Sequence, residues 1–451
     1  MKSPSSYDAG LYYFGSIRWL NEHPIVPGLG NLYVQFAYNQ SYFNLGALLN
    51  IFPLWNQGFA LVNPLFILVS FLFLFQFKIK NRLIEWLLRF SAGMVLCGFF
   101  YDLSSPVVDV GVGCFEVMIF LIAFKLCLDE EDSSQETLRW IYIMLLMCAS
   151  LVTIKISSIF FALLMPVIFG PIFWRSFRQY PILFLKVTAV VLFIGCTFVL
   201  RNYLLSGTFI FPSQFARLDQ LEWAVPASMA KELVNASITY NRAFGGPESI
   251  LENWKIFMPW MSGNWVTPWF KIFLPIHGRI IFVLTVFIIL VEQCVFWIKL
   301  KGCGDKRIYL AYIPLFASVF FWFFTSPLLR YIETIMWLTF ILSLSILLLR
   351  ISAISSVAIG FQRMKYQASF VLWIVCAGTF FFSSPFPWMG WSEIPPSSTY
   401  IKTTDAGVSV SLPIKGDQCW NALLPCAPYF YPNLAGKEFH LFGLIPRYGY
   451  Y

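Results

Sequence analysis

Long apolar runs separated by short polar joints dominate the chain. Ten of them, at about 58–77, 83–100, 110–127, 138–154, 156–174, 182–200, 278–298, 308–325, 331–349 and 367–382, lie close to the ~20 residues that a helix needs to cross a bilayer core. The second and fourth are short or interrupted, by Arg89 and by Lys155 at the end of the fourth. That predicts spans that are tilted, broken or covered by neighbouring helices. Three long segments fall between or beyond the runs: residues 1–57, 201–277 and 383–451. Leu11, Phe14, Ile17 and Leu20 recur at helical spacing, which predicts a short amphipathic helix on the membrane surface over 11–22. Two further short helices are expected at 225–242 and 248–260, divided by Gly245-Gly246-Pro247. In the tail, GVSVSLPI alternates Val408, Val410 and Leu412, the pattern of a short strand or hairpin.

The predicted fold class is therefore all-α, a polytopic transmembrane helix bundle of about ten spans with external loop helices and a small β-containing C-terminal tail. It divides into a first loop (1–57), six spans (58–200), a large loop (201–277), four spans (278–382) and the tail (383–451). Composition agrees. Hydrophobic residues make up 58% of the 451 and charged ones 12%, against roughly 25% charged in ordinary globular proteins. A soluble globule cannot hide that much apolar surface, and disordered or disulfide-dense secreted classes are excluded as well. The net charge of +8 arises from basic residues in short joints, not from a basic face or tail, so no nucleic-acid partner is expected.

Those basic residues set an orientation, because Lys and Arg in short loops stay on the cytoplasmic side. One set of joints holds thirteen of them, from Lys78, Lys80 and Arg82 to Arg350, Arg363 and Lys365, while the other set holds two, Lys155 and Arg330. The three long segments and the C-terminus are then external, and any chemistry is expected at the external face. Trp223, Trp254, Trp260, Trp265 and Trp269 suit an interfacial aromatic belt. The opening MKSPSSYDAGLYYF reads as the inside of a loop, so a further helix upstream is expected. The alternative is that residues 1–57 translocate as a short tail.

Ionisable groups at a membrane interface are the natural places to look for chemistry. Asp8 lies in SYDAGLYYF, and Asp102 and Asp109 in YDLSSPVVDVG, on the same side. Converging carboxylates there act either as a general base or as ligands to a divalent cation. The competing role for Asp8 is to cap a helix starting at residue 9 or 10, and for Asp102 and Asp109 to form turns and caps. Lys155, Arg201 and Arg330 sit on the side where basic residues are disfavoured. A phosphate or pyrophosphate group would account for them; so would snorkelling to lipid headgroups or pairing with an Asp. His23, His277 and His440 are far apart, so no metal site of zinc type is expected. Of ten cysteines only Cys419 and Cys426 fall in an external loop, where an oxidising compartment would join them as a disulfide.

An acid in the first external loop, a second after the next helix pair, many spans and external basic residues together resemble the GT-C class of integral-membrane glycosyltransferases. YDAGLYYFGSIRWLNEHPIVPGLGNL, RNYLLSGTFIFP and GDQCWNALLPCAPY are similar to segments of an uncharacterised bacterial membrane-protein family thought to be GT-C-like. The resemblance implies a multi-pass protein of the bacterial inner membrane that takes a polyprenyl-phosphate-linked sugar as donor and a glycan or lipid as acceptor. It would serve cell-envelope polysaccharide biosynthesis. By position it makes Asp8 the catalytic acid of the first loop, Asp102 or Asp109 the second, and Arg201 and Arg330 the holders of the lipid phosphate. Tyr13 stands where the family's opening motif would carry a His, and SPLLRY lacks an acid before its Arg. The alternatives are an O-antigen-type polymerase or ligase, or a transporter or flippase, for which pseudo-repeated halves would be expected.

Overall fold

The computed structural model describes residues 4–451 except 5, 53, 55–56, 130–134, 214–215, 219, 244–264, 271–273, 275, 298–306, 353–393 and 442–444. The N-terminal segment enters through a π-helical turn, Ala9–Tyr13, and continues as α1 (Phe14–Glu22) and α2 (Tyr42–Leu48). Then come α3 (Gly58–Gln76), α4 (Arg82–Gly98, extended to Asp102 by a 3-10 turn), α5 (Val108–Leu128) and α6 (Gln135–Ile154). Helices α7 (Ile159–Val167) and α8 (Gly170–Gln179) are followed by α9 (Pro181–Ser206) and α10 (Ala227–Ala243). The helical part ends with α11 (Ile276–Trp297), α12 (Tyr312–Thr325) and α13 (Glu333–Ser352). The tail forms two antiparallel hairpins, β1 (Thr399–Thr403) with β2 (Ser409–Pro413) and β3 (Gly436–Leu441) with β4 (Ile445–Tyr450). Tyr400 faces Leu412 in the first pair and Glu438 faces Tyr448 in the second.

Among the described residues eight helices are long and apolar enough to cross a membrane: α3, α4, α5, α6, α9, α11, α12 and α13. The protein is a multi-pass membrane protein. Ten spans were expected; α7 and α8 meet at a sharp bend and bring the number to nine if counted as one crossing. The bend lies where Pro166 and Pro171 each remove a backbone donor. The expected span at 367–382, the helix at 248–260, and Trp254 and Trp260 lie outside the described residues.

Burial sorts the spans. The most apolar stretch of α5 is 89% buried inside the protein and that of α9 is 0% buried, so α5 is the axis and α9 stands at the lipid edge. Arg89, which interrupts the second run, lies two turns into α4. Its Nε donates to the Phe77 carbonyl at 2.7 Å and its guanidinium pairs with Glu85 at 3.2 Å, so the charge reaches back to the joint. At that end the Lys80 amide and Lys125 Nζ both donate to Asp129, at 2.7 and 3.0 Å.

At the opposite end the long segments pack together. The tail lies on the N-terminal helix: the Trp420 amide donates to the Gly10 carbonyl at 3.0 Å, Gln418 Nε2 donates to the Tyr7 carbonyl at 2.8 Å, and Tyr7 Oη donates to Asp417. A Cβ on Gly10 would come within 2.4 Å of the Trp420 ring, so only glycine permits this approach. Gly28, at φ +64°, is a second such point. Its amide donates to Leu204 at the end of α9, while Pro27 accepts from the Tyr450 amide, at 2.8 and 2.9 Å.

Two expectations are corrected here. The apolar face of the helix over 11–22 is not turned to lipid, because Tyr12, Tyr13, Phe14, Ile17 and Trp19 are buried in the main core of the protein. Trp265 and Trp269 are buried rather than part of an interfacial belt. Their polarity is met inside: the Arg242 guanidinium lies 4.5 Å from the Trp265 ring and Trp269 Nε1 donates to Pro327 at 2.8 Å.

Cys419 and Cys426 are joined as a disulfide, while the described cysteines of the helices, such as Cys114 and Cys148, are free. Closing so short a loop removes chain entropy worth about 2.5 kcal/mol. Replacing both cysteines by serine is expected to raise amide exchange throughout the tail by roughly that free energy. Hydrogen exchange read by mass spectrometry, with the helices as internal reference, checks it.

Candidate functional site

Four of the six charged residues singled out in the sequence meet at the end of the bundle that carries the long segments. Asp109 opens α5, Lys155 follows α6, and Arg330 lies in the 3-10 turn Leu329–Tyr331 before α13. Asp8 enters from the N-terminal turn. These positions converge because antiparallel spans return every second joint to the same end.

Lys155 Nζ donates to Asp109 Oδ1, and Arg330 Nε lies 3.9 Å from Asp109 Oδ2. On its outer side the Arg330 guanidinium donates to Asp8 Oδ2 at 3.1 Å. Two tyrosines complete the array. Lys155 Nζ sits 3.6 Å from the centre of the Tyr331 ring, whose hydroxyl accepts from Arg330 at 3.0 Å. Tyr13 Oη points to Asp8 Oδ2 at 3.4 Å. Burial, and then the Asp8 charge, hold the Tyr13 phenol well above its ordinary pKa, so it remains a donor.

Asp8 does not serve as a helix cap. It is itself helical and its side chain makes no capping hydrogen bond; the carboxylate turns instead to Arg330 and Tyr13. Asp102 takes a neighbouring place at the end of the α4 extension, where its carbonyl accepts from Asn63 Nδ2 at 2.7 Å. Asn63 in turn accepts from Tyr42 Oη. Arg201 belongs to a different site: it donates to the Asn39 side chain and lines a cavity of about 230 Å³ between α1, the turn Val34–Tyr38 and α9. Among the described residues no three His, Cys, Asp or Glu side chains are grouped so as to hold a metal ion.

Sequence reasoning missed Tyr13 and Tyr331 as partners of the charges, and it missed Glu116. Glu116 is 4% exposed, two turns below Asp109 on the same face of α5 and within electrostatic reach of Lys155. The signal was there, since an acid in the middle of an apolar span is costly and marks a site by default.

The family model described as "Domain of unknown function (DUF8201)" matches residues 1–337. The chain belongs to this family. The matched region holds every member of the cluster, from Asp8 to Tyr331, together with Arg201 and its cavity. No curated protein and no solved structure matches the chain.

The two ion pairs differ in depth. The Lys155 and Asp109 side chains are 17% and 16% exposed, whereas Arg330 is 46% exposed. Asp109→Asn would leave Lys155 charged and largely buried, a change that typically costs 3–5 kcal/mol. Asp8→Asn breaks a more exposed pair worth about 0–1 kcal/mol. Thermal unfolding of the purified variants is expected to show a large loss for Asp109→Asn and a small one for Asp8→Asn. Equal losses would make both pairs structural.

Proposed function

We propose that the protein is an inverting GT-C-type glycosyltransferase. It would transfer a sugar from a polyprenyl-phosphate-linked donor to a cell-surface glycan or lipid acceptor. On this reading, with the orientation expected from the thirteen basic residues in the other set of joints, the cluster would lie at the external face, and the membrane would be a bacterial inner membrane. The observation that carries this reading is the Asp8–Arg330 pair, a carboxylate and a half-exposed guanidinium 3.1 Å apart at the membrane end of the bundle.

The pair supplies the two functions that the transfer needs. A donor phosphate offers Arg330 a bidentate partner with more charge than one carboxylate, which draws the guanidinium from Asp8. The carboxylate is then free to accept the proton of the acceptor hydroxyl. The acceptor oxygen forms its bond to the anomeric carbon as the bond from that carbon to the phosphate oxygen breaks on the opposite face. The electron pair leaves with the polyprenyl phosphate, and the configuration inverts. Arg330 stabilises the charge that grows on the leaving group. Lys155 acts through Asp109, which keeps Arg330 at the mouth of the bundle, and Tyr13 steers the Asp8 carboxylate.

The test is sugar transfer by purified protein, expressed from the longest reading frame that encodes the chain, with a panel of polyprenyl-phosphate sugars. Asp8→Asn is expected to lower turnover by roughly 10²–10⁴-fold with normal membrane insertion. Full activity of Asp8→Asn at saturating donor would reject Asp8 as the base. Arg330→Ala is expected to raise the donor KM as well as lower kcat, because the phosphate loses its charged partner. An unchanged donor KM would count against a phosphate on Arg330.

A further inference from the structure

At the end of the bundle away from the ion-pair cluster, α8 and the start of α9 form a surface with its own chemistry. Helix α7 and the 3-10 turn before it, Ile156–Ser158, run inward from Lys155. Together they rise only about 20 Å, short of the ~30 Å of a bilayer core. Helix α8 then turns away by 62°, so its length gains only about 7 Å more in that direction. It ends at Gln179, and α9 starts back at Pro181. The geometry lays α8 along the membrane boundary instead of across the core. Its side chains sort to match. Phe173, Trp174 and Phe177 fall on one arc of the helix, and Arg175 and Arg178, three residues apart, share another. Ile172 is buried in the core, while Trp174, Phe177 and Tyr180 are 59%, 43% and 40% exposed. Trp174 stacks on Phe177 with ring centres 5.9 Å apart, and Phe177 meets Phe184 of α9 edge-on at 5.2 Å. The Arg178 guanidinium lies 5.3 Å from the Trp174 ring. Lys186, exposed in the second turn of α9, adds a third cation. The sequence holds no Asp or Glu between Glu136 and Asp219, so neither helix supplies a counter-charge.

We propose that this surface binds an anionic phospholipid of the leaflet in which it lies. Arg175, Arg178 and Lys186 would hold the headgroup phosphate, and the rings of Trp174 and Phe177 would sit among the upper acyl chains. Under the orientation expected from the basic joints, that leaflet is the cytoplasmic one. Exposed aromatic rings beside arginines suit a boundary that is apolar on one side and wet on the other. A guanidinium offers phosphate two parallel hydrogen bonds, and clustered basic residues at the boundary favour anionic over neutral lipid. The wall for the acyl chain is also there, since the most apolar stretch of α9 is 0% buried by protein. That wall, continuous with the basic patch, favours a lipid over an acidic protein segment as the occupant. The proposal uses only the multi-pass architecture and does not depend on the transferase.

Purified full chain is reconstituted in phosphatidylcholine vesicles that carry a brominated lipid. The brominated lipid is phosphatidylglycerol or phosphatidylcholine, with its bromines near the glycerol end or near the tail end of the chain. The Trp174 signal is the fluorescence of the wild type less that of Trp174→Phe. Shallow brominated phosphatidylglycerol is expected to quench it at a mole fraction ~5–100-fold lower than shallow brominated phosphatidylcholine, which spans one to three engaged cations at about fivefold each. Arg175→Gln, Arg178→Gln and Lys186→Gln are each expected to lower that preference, and thermal unfolding reports whether each variant is folded. High salt is expected to weaken it. Inorganic phosphate is expected to do no more than sodium chloride of equal ionic strength, whereas selective displacement would overturn the proposal in favour of a free-phosphate site. Equal quenching by the two headgroups in folded wild type, or a preference that survives all three substitutions together, would overturn it outright. Stronger quenching by the deep bromines would make α8 part of a crossing and overturn its place at the boundary. A Trp174 that neither lipid quenches would overturn it in favour of a protein partner on this face.

Discussion

A charge inside a membrane bundle must find an opposite charge or a dipole, and the Lys155–Asp109 pair is where this protein meets that demand. Both side chains are largely buried, so neither keeps its charge at tolerable cost without the other. Because Asp109 starts α5 and Lys155 follows α6, the pair fixes the depth of two spans against each other. It also sets the place of Arg330, which reaches Asp109 with one nitrogen and Asp8 with another. Arg330 therefore links the buried pair, through the Asp109 carboxylate, to the more accessible pair that it forms with Asp8. In the proposed transfer a donor phosphate would compete for the accessible pair while the buried one holds the frame.

The roof over this array is built from segments far apart in the chain. Tyr7 joins Asp417, Gly10 lies beneath Trp420, and Arg18 donates to the Ala422 carbonyl. Asn31 Nδ2 donates to the carbonyls of Trp223 and Tyr450 at 3.0 and 3.2 Å, which ties the first segment to the large loop and to the end of the tail. A helix with a polar and an apolar face would ordinarily rest on lipid. Here the tail supplies the cover, so Trp19 faces a cavity in the protein.

Much of the architecture was legible because lipid imposes a simple rule: a helix that crosses must stay apolar for about 20 residues. Eight of the ten expected runs appear as such helices, and the fifth is bent at its prolines. Strand β2 was legible from the alternation of Val408, Val410 and Leu412, but its partner β1 was not. Other features left no local trace. The buried state of Trp265 depends on Arg242 and that of Trp269 on Pro327, partners that no window of sequence connects.

The candidate site divides in the same way. That Asp8, Asp109, Lys155 and Arg330 share one end of the bundle follows from the sequence, because counting apolar runs gives the side of every joint. The sequence also determined that Cys419 and Cys426 lie outside the spans. Only the tertiary structure decided that Asp8 touches Arg330 rather than a helix end, that Tyr13 and Tyr331 join them, and that Arg201 serves a separate cavity. The physical reason is that topology assigns a residue to a face of the membrane, whereas contacts across that face depend on how the spans rotate and pack. Rotation is set by side chains scattered along the whole chain, and it has no signature at the residues it brings together.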